Sequence, residues 1–275
     1  MLAAKDRDGM VEVSSVQGPD GVATWTWSDR SGWEPFARDL AREEAVTIYL
    51  DKVELATLMC TPEKLNFLVV GFLRSEGLIE RLDDIAMMRV CAEESGVVDV
   101  RLMQPRQPSG KRILTSGCGG GLSFDEGWRL RPVVSDLRIA PAQLLDCMRL
   151  LQSHSLRTGM HVSALSDGKE LLIVSRDIGR HNTLDKIWGE CLFREIPTEG
   201  RILLTTGRLS SEMTIKAAKM GVPMVVSMNS PTTRTVSMAR DLGVTVVGYA
   251  RGSRLTVYCH SERLCPSFMC EEQRM

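Results

Sequence analysis

A glycine-rich segment around one cysteine is the stretch of this sequence best suited to chemistry. Residues 115–121 read Thr-Ser-Gly-Cys-Gly-Gly-Gly and follow the strand-like residues 112–114. Glycines adopt backbone conformations that bring consecutive N–H groups close to a ligand, and such groups form an anion-binding concavity. That environment favours a thiolate or a persulfide on Cys118 over the neutral thiol. A flexible turn that contains a cysteine is an equally good interpretation of these residues alone.

Four polar segments, each after a predicted strand, form a second group of candidates. They span residues 177–182, 207–212, 229–232 and 249–254. Three of them lead into predicted helices, whose N-terminal N–H groups and dipoles attract phosphate. The segments also contain arginines, which can bind phosphate through two parallel hydrogen bonds. Taken singly, each segment also fits a structural role, either as an ion pair between Asp177 and Arg180 or as a helix cap.

The elements that must position these residues differ between the two ends of the chain. The strand-like residues 46–50, 53–59, 87–91 and 97–103 surround one helix, predicted to begin at Thr61-Pro62-Glu63. In the C-terminal half, strands alternate with helices of about a dozen residues, which indicates an α/β layer with a partly parallel sheet. Ligands of such sheets bind beyond the carboxyl ends of the strands. Four polar segments on one sheet edge therefore favour a phosphate-rich ligand.

The overall composition argues against several other classes of function. The 275 residues include 34 Lys and Arg against 35 Asp and Glu, and a net charge of −1 argues against bulk attraction to nucleic acid or to a membrane. No apolar run has the length of a membrane span, and the first residues lack a signal sequence. The eight cysteines are therefore predicted to be reduced and cytoplasmic, with Cys60, Cys147 and Cys191 in packed positions. Their spacing does not fit a structural zinc site.

An ordered series of motifs resembles one protein family. Asp-Ile-Gly-Arg-His-Asn-Thr-Leu-Asp-Lys at 177–186 resembles the D/E-x-G-R-H-N-x-x-D-K block of the formate dehydrogenase accessory sulfurtransferases, the FdhD family. The resemblance continues in order through Gly-Arg-Leu-Ser-Ser-Glu-Met at 207–213, Ser-Pro-Thr at 230–232 and Tyr-Ala-Arg-Gly at 249–252. It extends over residues 45–263, so it is far more specific than a lone glycine motif.

The resemblance implies a sulfur-transfer activity. Members of this family accept sulfur from a cysteine desulfurase as a persulfide, which here falls on Cys118. They pass it to the molybdenum or tungsten bis(molybdopterin guanine dinucleotide) cofactor, bound as a substrate, before that cofactor enters formate dehydrogenase. The family's cofactor-contacting segment falls on residues 249–254, and the other polar segments are expected to hold the phosphates and guanines of the cofactor. The expected cofactor-binding residues are Tyr249, Ala250, Arg251, Gly252, Ser253, Arg254, Arg180, His181, Asn182 and Arg208.

The resemblance also implies an architecture. The α/β layer of the C-terminal half is expected to be similar to cytidine deaminases, with a β-rich N-terminal part that carries one helix. The predicted divisions are a variable segment at 1–40, a β-rich subdomain at 41–112, an α/β domain with the reactive cysteine loop at 113–263 and a tail at 264–275. Members of the family work as dimers in the cytoplasm, so a cytoplasmic homodimer is expected.

The cysteine loop departs from the family in one position. Many members have Cys-x-x-Cys there, whereas Gly121 replaces the second cysteine in this chain. A lone thiolate can accept and present sulfane sulfur, although it cannot form an intramolecular disulfide. A chaperone that delivers the metal cofactor without sulfur transfer is therefore the alternative function. A zinc deaminase is excluded because it needs H-x-E together with P-C-x-x-C, and the sequence lacks P-C-x-x-C.

His161 also has two open interpretations. Histidine titrates near neutrality, so this side chain could orient or protonate groups near the sulfur. A structural histidine beside a glycine turn, Gly159, explains it equally well.

Overall fold

The structure is a computed structural model that describes residues 24–36, 40–91, 96–106, 130–155 and 159–265, and the backbone of 112–114 and 122–124. Together these residues form a mixed α/β fold, as predicted. The strands are β1 Trp25–Ser28, β2 Gly32–Pro35, β3 Glu44–Leu50, β4 Val53–Cys60, β5 Ile85–Cys91, β6 Val97–Leu102, β7 Arg112–Leu114, β8 Leu122–Phe124, β9 His161–Ser166, β10 Leu171–Asp177, β11 Ile202–Thr205, β12 Met224–Ser227, β13 Thr245–Arg251 and β14 Arg254–Cys259. The helices are α1 Leu65–Ser75, α2 Pro141–Ser153, α3 Arg180–Arg194, α4 Ser211–Lys219 and α5 Thr233–Asp241. Within this described part, every helix is too short or too polar to cross a lipid bilayer.

The chain divides into two compact units. In the smaller unit, β1 and β2 pair as an antiparallel hairpin in which Trp27 lies opposite Trp33. The larger unit contains β3 to β14 and the five helices. The predicted divisions near residues 41, 113 and 264 stay predictions.

A four-stranded sheet with one covering helix forms the N-terminal part of the larger unit. Its strand order is β4-β3-β6-β5, with β3 and β6 parallel and the other neighbours antiparallel. Alternate residues of β3, Val46, Ile48 and Leu50, are buried, as expected for a strand with one covered face. Leu68 and Phe72 of α1 belong to the same buried cluster. This is the β-rich part with one helix that the sequence predicts.

Helix α1 begins at Leu65, three residues later than Pro62, the first helical residue that the Thr61-Pro62-Glu63 sequence predicts. Thr61 is buried, and its N–H donates a hydrogen bond to Asp177 Oδ2 at 3.2 Å. Its hydroxyl accepts one from the N–H of Ile178 at 3.3 Å. Lys64, directly before the helix, has a left-handed backbone conformation with φ 56°. The residue that resembles a helix cap therefore binds a distant loop instead.

A six-stranded sheet forms the C-terminal part, in the order β10-β9-β11-β12-β13-β14. The central strands β11, β12 and β13 are parallel, whereas β9, β10 and β14 each pair with their neighbours in antiparallel fashion. Helix α2 covers one face, where Leu144 and Met148 pack with Val162 and Leu204. Helices α3, α4 and α5 cover the other face. The prediction of alternating strands and helices is confirmed here.

Helices α1 and α3 cross at two glycines, which joins the N-terminal sheet to the C-terminal sheet. A Cβ added to Gly71 would lie 1.8 Å from the carbonyl oxygen of Asp185, and one added to Gly189 would lie 1.9 Å from that of Phe67. Each glycine thus contacts the main chain of the opposite helix. Only glycine permits two helices to approach this closely.

Candidate functional site

The polar segments meet at one edge of the six-stranded sheet. Strands β10, β11, β12 and β13 all run in the same direction, because β9 is antiparallel to both β10 and β11. Their carboxyl ends therefore lie on one edge, and His161, at the start of the antiparallel β9, pairs there with Asp177. We call residues 161, 177–182, 205–212, 227–232 and 249–254 the strand-end surface.

Asp177 organises the turn between β10 and α3. Its side chain is fully buried, and Oδ2 lies 2.6 Å from Lys186 Nζ and 3.2 Å from the N–H of Thr61. Oδ1 accepts hydrogen bonds from the N–H of Gly179 at 2.7 Å and from Asn182 Nδ2 at 2.8 Å. Four donors therefore satisfy this carboxylate, which offsets the cost of burying its charge.

The predicted ligand residue Asn182 has a structural contact on each side. Besides Asp177, its Nδ2 donates to the main-chain carbonyl of Met59 at 2.8 Å. Both amide hydrogens are thus used within the protein, and the side chain links α3 to the end of β4. The ion partner of Asp177 is Lys186 and not Arg180, so the structural alternative suggested for those two residues is wrong.

His181 connects the N-termini of α3 and α4. Its Nε2 lies 3.1 Å from Ser210 Oγ and 3.1 Å from Glu212 Oε2. Ser210 also caps α4, because its hydroxyl accepts a hydrogen bond from the N–H of Met213 at 3.4 Å. The two contacts share one ring nitrogen, so the group is not a chain of hydrogen bonds of the serine-hydrolase kind.

His161 lies beside Gly207 in cationic surroundings. A Cβ on Gly207 would lie 3.1 Å from Arg180 Cβ and 3.3 Å from His161 Nδ1, so both side chains pack against this glycine. Burial, followed by the charges of Arg180 and His181, lowers the pKa of His161, whereas Asp177 raises it by a smaller amount. His161 is therefore neutral at pH 7 and able to accept a proton or a hydrogen bond.

Asn229 holds three of the polar segments together. Its Nδ2 donates to the carbonyl of Thr206 at 2.7 Å, and its own N–H donates to Ser227 Oγ at 2.9 Å. Its main-chain carbonyl accepts from the N–H of Tyr249 at 3.2 Å. Asn229 is thus a link between loops, while Thr232 caps α5 by accepting from the N–H of Thr235 at 3.2 Å.

The segment at 249–254 is the end of a tight hairpin and not the loop that the sequence suggests. Tyr249, Ala250 and Arg251 belong to β13, and only Gly252 and Ser253 connect β13 to β14. Ala250 is fully buried in the cluster beneath α2, so its methyl group faces the core and is not available to a ligand. Tyr249 is 43% exposed and has a left-handed backbone conformation with φ 50°.

Three arginines of the strand-end surface are exposed. Arg251 lies opposite Arg254 across the hairpin, and Arg208 follows the end of β11. Within the described part of the chain, none of the three forms an ion pair with a carboxylate. Like charges opposite each other on a β-ladder are unfavourable, so an anion between Arg251 and Arg254 would relieve their repulsion.

Comparison with known families places the chain. The model of the FdhD/NarQ family matches residues 41–265. The chain belongs to this family. The match contains both sheets of the larger unit, so the FdhD/NarQ fold includes the N-terminal sheet as well as the strand-end surface.

Curated FdhD relatives are similar over most of their length. "Sulfur carrier protein FdhD" of Staphylococcus haemolyticus strain JCSC1435 is 36% identical over 233 residues, which cover 81% of this chain and 88% of that protein. The protein of the same name from Staphylococcus aureus strain MRSA252 is 37% identical over 236 residues, or 82% and 89% of the two chains.

A crystal structure described as a formate dehydrogenase accessory protein, from Desulfotalea psychrophila, has the same fold. Its TM-score is 0.73 at 24% identity, over 88% of this chain and 97% of that one. At this identity the similarity supports the fold alone. The more specific prediction, a cytidine-deaminase-like α/β layer, stays a prediction.

The cysteines of this FdhD/NarQ chain differ in environment. Cys118 and Gly121 lie outside the described residues. Cys60, Cys147 and Cys191 are buried free thiols, as predicted, and burial raises the pKa of Cys60 and of Cys191 to about 12. These thiols stay protonated at neutral pH and are poor nucleophiles.

The two C-terminal cysteines that the structure describes differ from each other. Burial also raises the pKa of Cys259, whose Sγ contacts the carbonyl of Val244 at 3.3 Å. Cys265 is disulfide-bonded, so the expectation that every thiol is reduced is wrong for this residue.

Sequence reasoning did not identify Lys186 and Thr61 as residues that hold the site in place. Lys186 is the final residue of the D/E-x-G-R-H-N-x-x-D-K block, and its position about two turns into α3 is the signal that could have identified it. Thr61 carried no such signal, because its partner Asp177 is 116 residues away in the sequence.

Proposed function

We propose that this chain is a sulfur carrier that serves formate dehydrogenase. The observation that carries the proposal is the similarity to curated proteins named sulfur carrier protein FdhD, at 36–37% identity over more than four fifths of the chain. The strand-end surface supports it, since it presents exposed arginines beside helix N-termini, where phosphate groups bind.

In the proposed reaction, Cys118 accepts sulfur from the persulfide of a cysteine desulfurase. The Cys118 thiolate attacks the terminal sulfur of the donor persulfide, the S–S bond of the donor breaks, and the donor cysteine leaves as a thiolate. One S–S bond forms as one breaks, so this step needs no external oxidant or reductant. A single cysteine is sufficient, which agrees with the replacement of the second cysteine by Gly121.

The proposed acceptor is the molybdenum or tungsten bis(molybdopterin guanine dinucleotide) cofactor, bound as a substrate. Its phosphates would bind Arg208, Arg251 and Arg254, which are exposed and form no ion pair within the described residues. Tyr249 offers an exposed ring for stacking on guanine. Asn182 and Ala250, which the sequence also suggested, contribute through the backbone they position.

The proposed assembly is a cytoplasmic homodimer that meets a cysteine desulfurase and formate dehydrogenase in turn. The exposed arginines predict that cofactor binding weakens with salt, because exposed charges are screened over about 10 Å at 0.1 M ionic strength.

The decisive experiment compares Cys118→Ala with Cys91→Ala, which removes a partly exposed cysteine of β5. After incubation with a cysteine desulfurase and cysteine, mass spectrometry should find one added sulfur on Cys118 in the wild type and in Cys91→Ala. In a strain that lacks its own carrier, only Cys118→Ala should fail to support formate dehydrogenase activity. Full activity with Cys118→Ala would instead identify a cofactor chaperone without sulfur transfer.

A second experiment tests the acceptor site. Arg251→Gln and Arg254→Gln should each weaken binding of GDP, a soluble part of the proposed cofactor, and should leave persulfide formation on Cys118 unchanged. Unchanged GDP binding in both variants would contradict the assignment of these arginines.

A further inference from the structure

A small cavity beside β10 is lined by charged side chains and lies outside the strand-end surface. Its volume is about 220 Å³. The lining residues come from four parts of the chain: the connection between β4 and α1, the end of α2, strand β10 and helix α3. They are Glu63, Lys64, His154, Val174, Arg176 and Lys186. The proposed sulfur transfer involves Cys118 and the strand-end surface and does not involve this cavity.

Two of its cations are compensated inside the protein. Lys186 Nζ lies 2.6 Å from Asp177 Oδ2 and donates to two main-chain carbonyls, at 3.0 and 3.2 Å. Lys64 Nζ lies 2.6 Å from Glu190 Oε2. Both lysines therefore have carboxylate partners, and neither leaves an uncompensated charge in the cavity.

Arg176 differs from the two lysines. It forms no ion pair within the residues that the structure describes, and its Nε is buried without a hydrogen-bond partner. A buried donor without a partner costs free energy, so it favours any ligand that can accept its hydrogen bond. Arg201 also has a buried Nε without a partner but does not line the cavity, so the orphaned nitrogen alone does not define a site.

We propose that the cavity binds a small inorganic oxyanion, such as phosphate, against Arg176. Arginine binds such an ion through two parallel hydrogen bonds, and Arg176 lines the cavity. Pockets for drug-sized ligands have volumes of roughly 300–1,000 Å³. A cavity of about 220 Å³ is below that range and selects a small ion over a nucleotide.

Glu63 also lines the cavity, and its carboxylate opposes the binding of an anion. The proposal therefore predicts effects of opposite sign at two residues. Arg176→Gln should weaken phosphate binding at least tenfold, which corresponds to about 1.4 kcal/mol. Glu63→Gln should strengthen it.

Calorimetric titration of the full-length protein with inorganic phosphate tests the proposal. The titrations use chloride at the same ionic strength as the reference, and all proteins carry Arg208→Gln, Arg251→Gln and Arg254→Gln, so that the exposed arginines of the strand-end surface contribute little. Arg201→Gln is the matched control and should bind phosphate as tightly as the protein without it. Urea unfolding of each variant establishes that it is folded.

The opposite results overturn the proposal. If phosphate gives no saturable binding, or if folded Arg176→Gln binds it as tightly as Arg201→Gln does, the cavity is not an oxyanion site. Weaker binding in Glu63→Gln would have the same meaning. None of these outcomes bears on sulfur transfer, which is measured separately on Cys118.

Discussion

The crossing of α1 and α3 provides a sharp test of the structure, because it predicts whether one Gly→Ala substitution raises or lowers the free energy of unfolding. Alanine is a better helix former than glycine, so Gly→Ala at a helix position with open space stabilises a protein by roughly 0.5–1 kcal/mol. At Gly71 the added Cβ would lie 1.8 Å from the carbonyl oxygen of Asp185, whereas ordinary contacts begin at 3.4 Å. The oxygen belongs to the main chain of α3 and cannot rotate away.

The helices must therefore separate by more than an ångström to accept the methyl group. Overpacking of a well-packed core costs about 1–3 kcal/mol, and here the separation also disturbs the packing of Leu68 and Phe72. After subtraction of the gain in helix propensity, Gly71→Ala should lower the free energy of unfolding by about 0.5–2 kcal/mol. Gly189→Ala, whose Cβ would lie 1.9 Å from the carbonyl oxygen of Phe67, should have a similar effect.

Urea unfolding followed by circular dichroism measures both effects. Ser237→Ala, at an exposed position within α5, is the control and should be neutral or slightly stabilising. The double variant should cost less than the sum of the two single variants, because helices already separated by one methyl group accommodate the second more easily. If Gly71→Ala proves as stable as the wild type, or more stable, the helices do not cross as described.

Three further predictions concern single side chains. Lys186→Met should cost about 3–5 kcal/mol, because it leaves the buried Asp177 carboxylate without its cation. Lys64→Met should cost at most about 1 kcal/mol in the same urea assay, because Lys64 is partly exposed and its partner Glu190 keeps Arg194 as a second cation. The pKa of His161 is lowered in the folded state, so below the ordinary histidine value of about 6.5 the unfolded state binds more protons than the folded state. Stability therefore falls on acidification, and His161→Gln should lose less stability than the wild type between about pH 7.5 and pH 5.5. Thr232→Ala should lower the free energy of unfolding by about 1 kcal/mol through loss of the α5 cap, and an unchanged urea midpoint would contradict that role.

Local signals in the sequence predicted much of the fold. Ser210 and Thr232 occupy cap positions because their hydroxyls bind an N–H three residues on, an interaction that depends only on nearby residues. Gly221, just past the end of α4, has φ 69°, as its position suggests. The alternation of strands and helices likewise indicated the parallel core of the C-terminal sheet.

Contacts between distant segments could not be predicted in this way. The shift of α1 to Leu65 depends on the binding of Thr61 to Asp177, and no periodicity within α1 records that contact. The position of β9 between β10 and β11 also required the structure, since two antiparallel pairings are not distinguishable from the strand sequences. Ala250 was misjudged because β13 continues through it to Arg251, which turns its methyl group into the core.

The two-glycine crossing has a consequence for how the chain folds during synthesis. Gly71 leaves the ribosome long before Gly189, and at about 5–20 residues per second the interval is on the order of 10 s. Throughout that interval, the side of α1 that will receive α3 is open to solvent, and Thr61 lacks its partner until Asp177 has been synthesised. The strand-end surface is therefore completed late, by a docking event between the two halves, and a nascent chain that stops before α3 exposes a surface that other chains can bind.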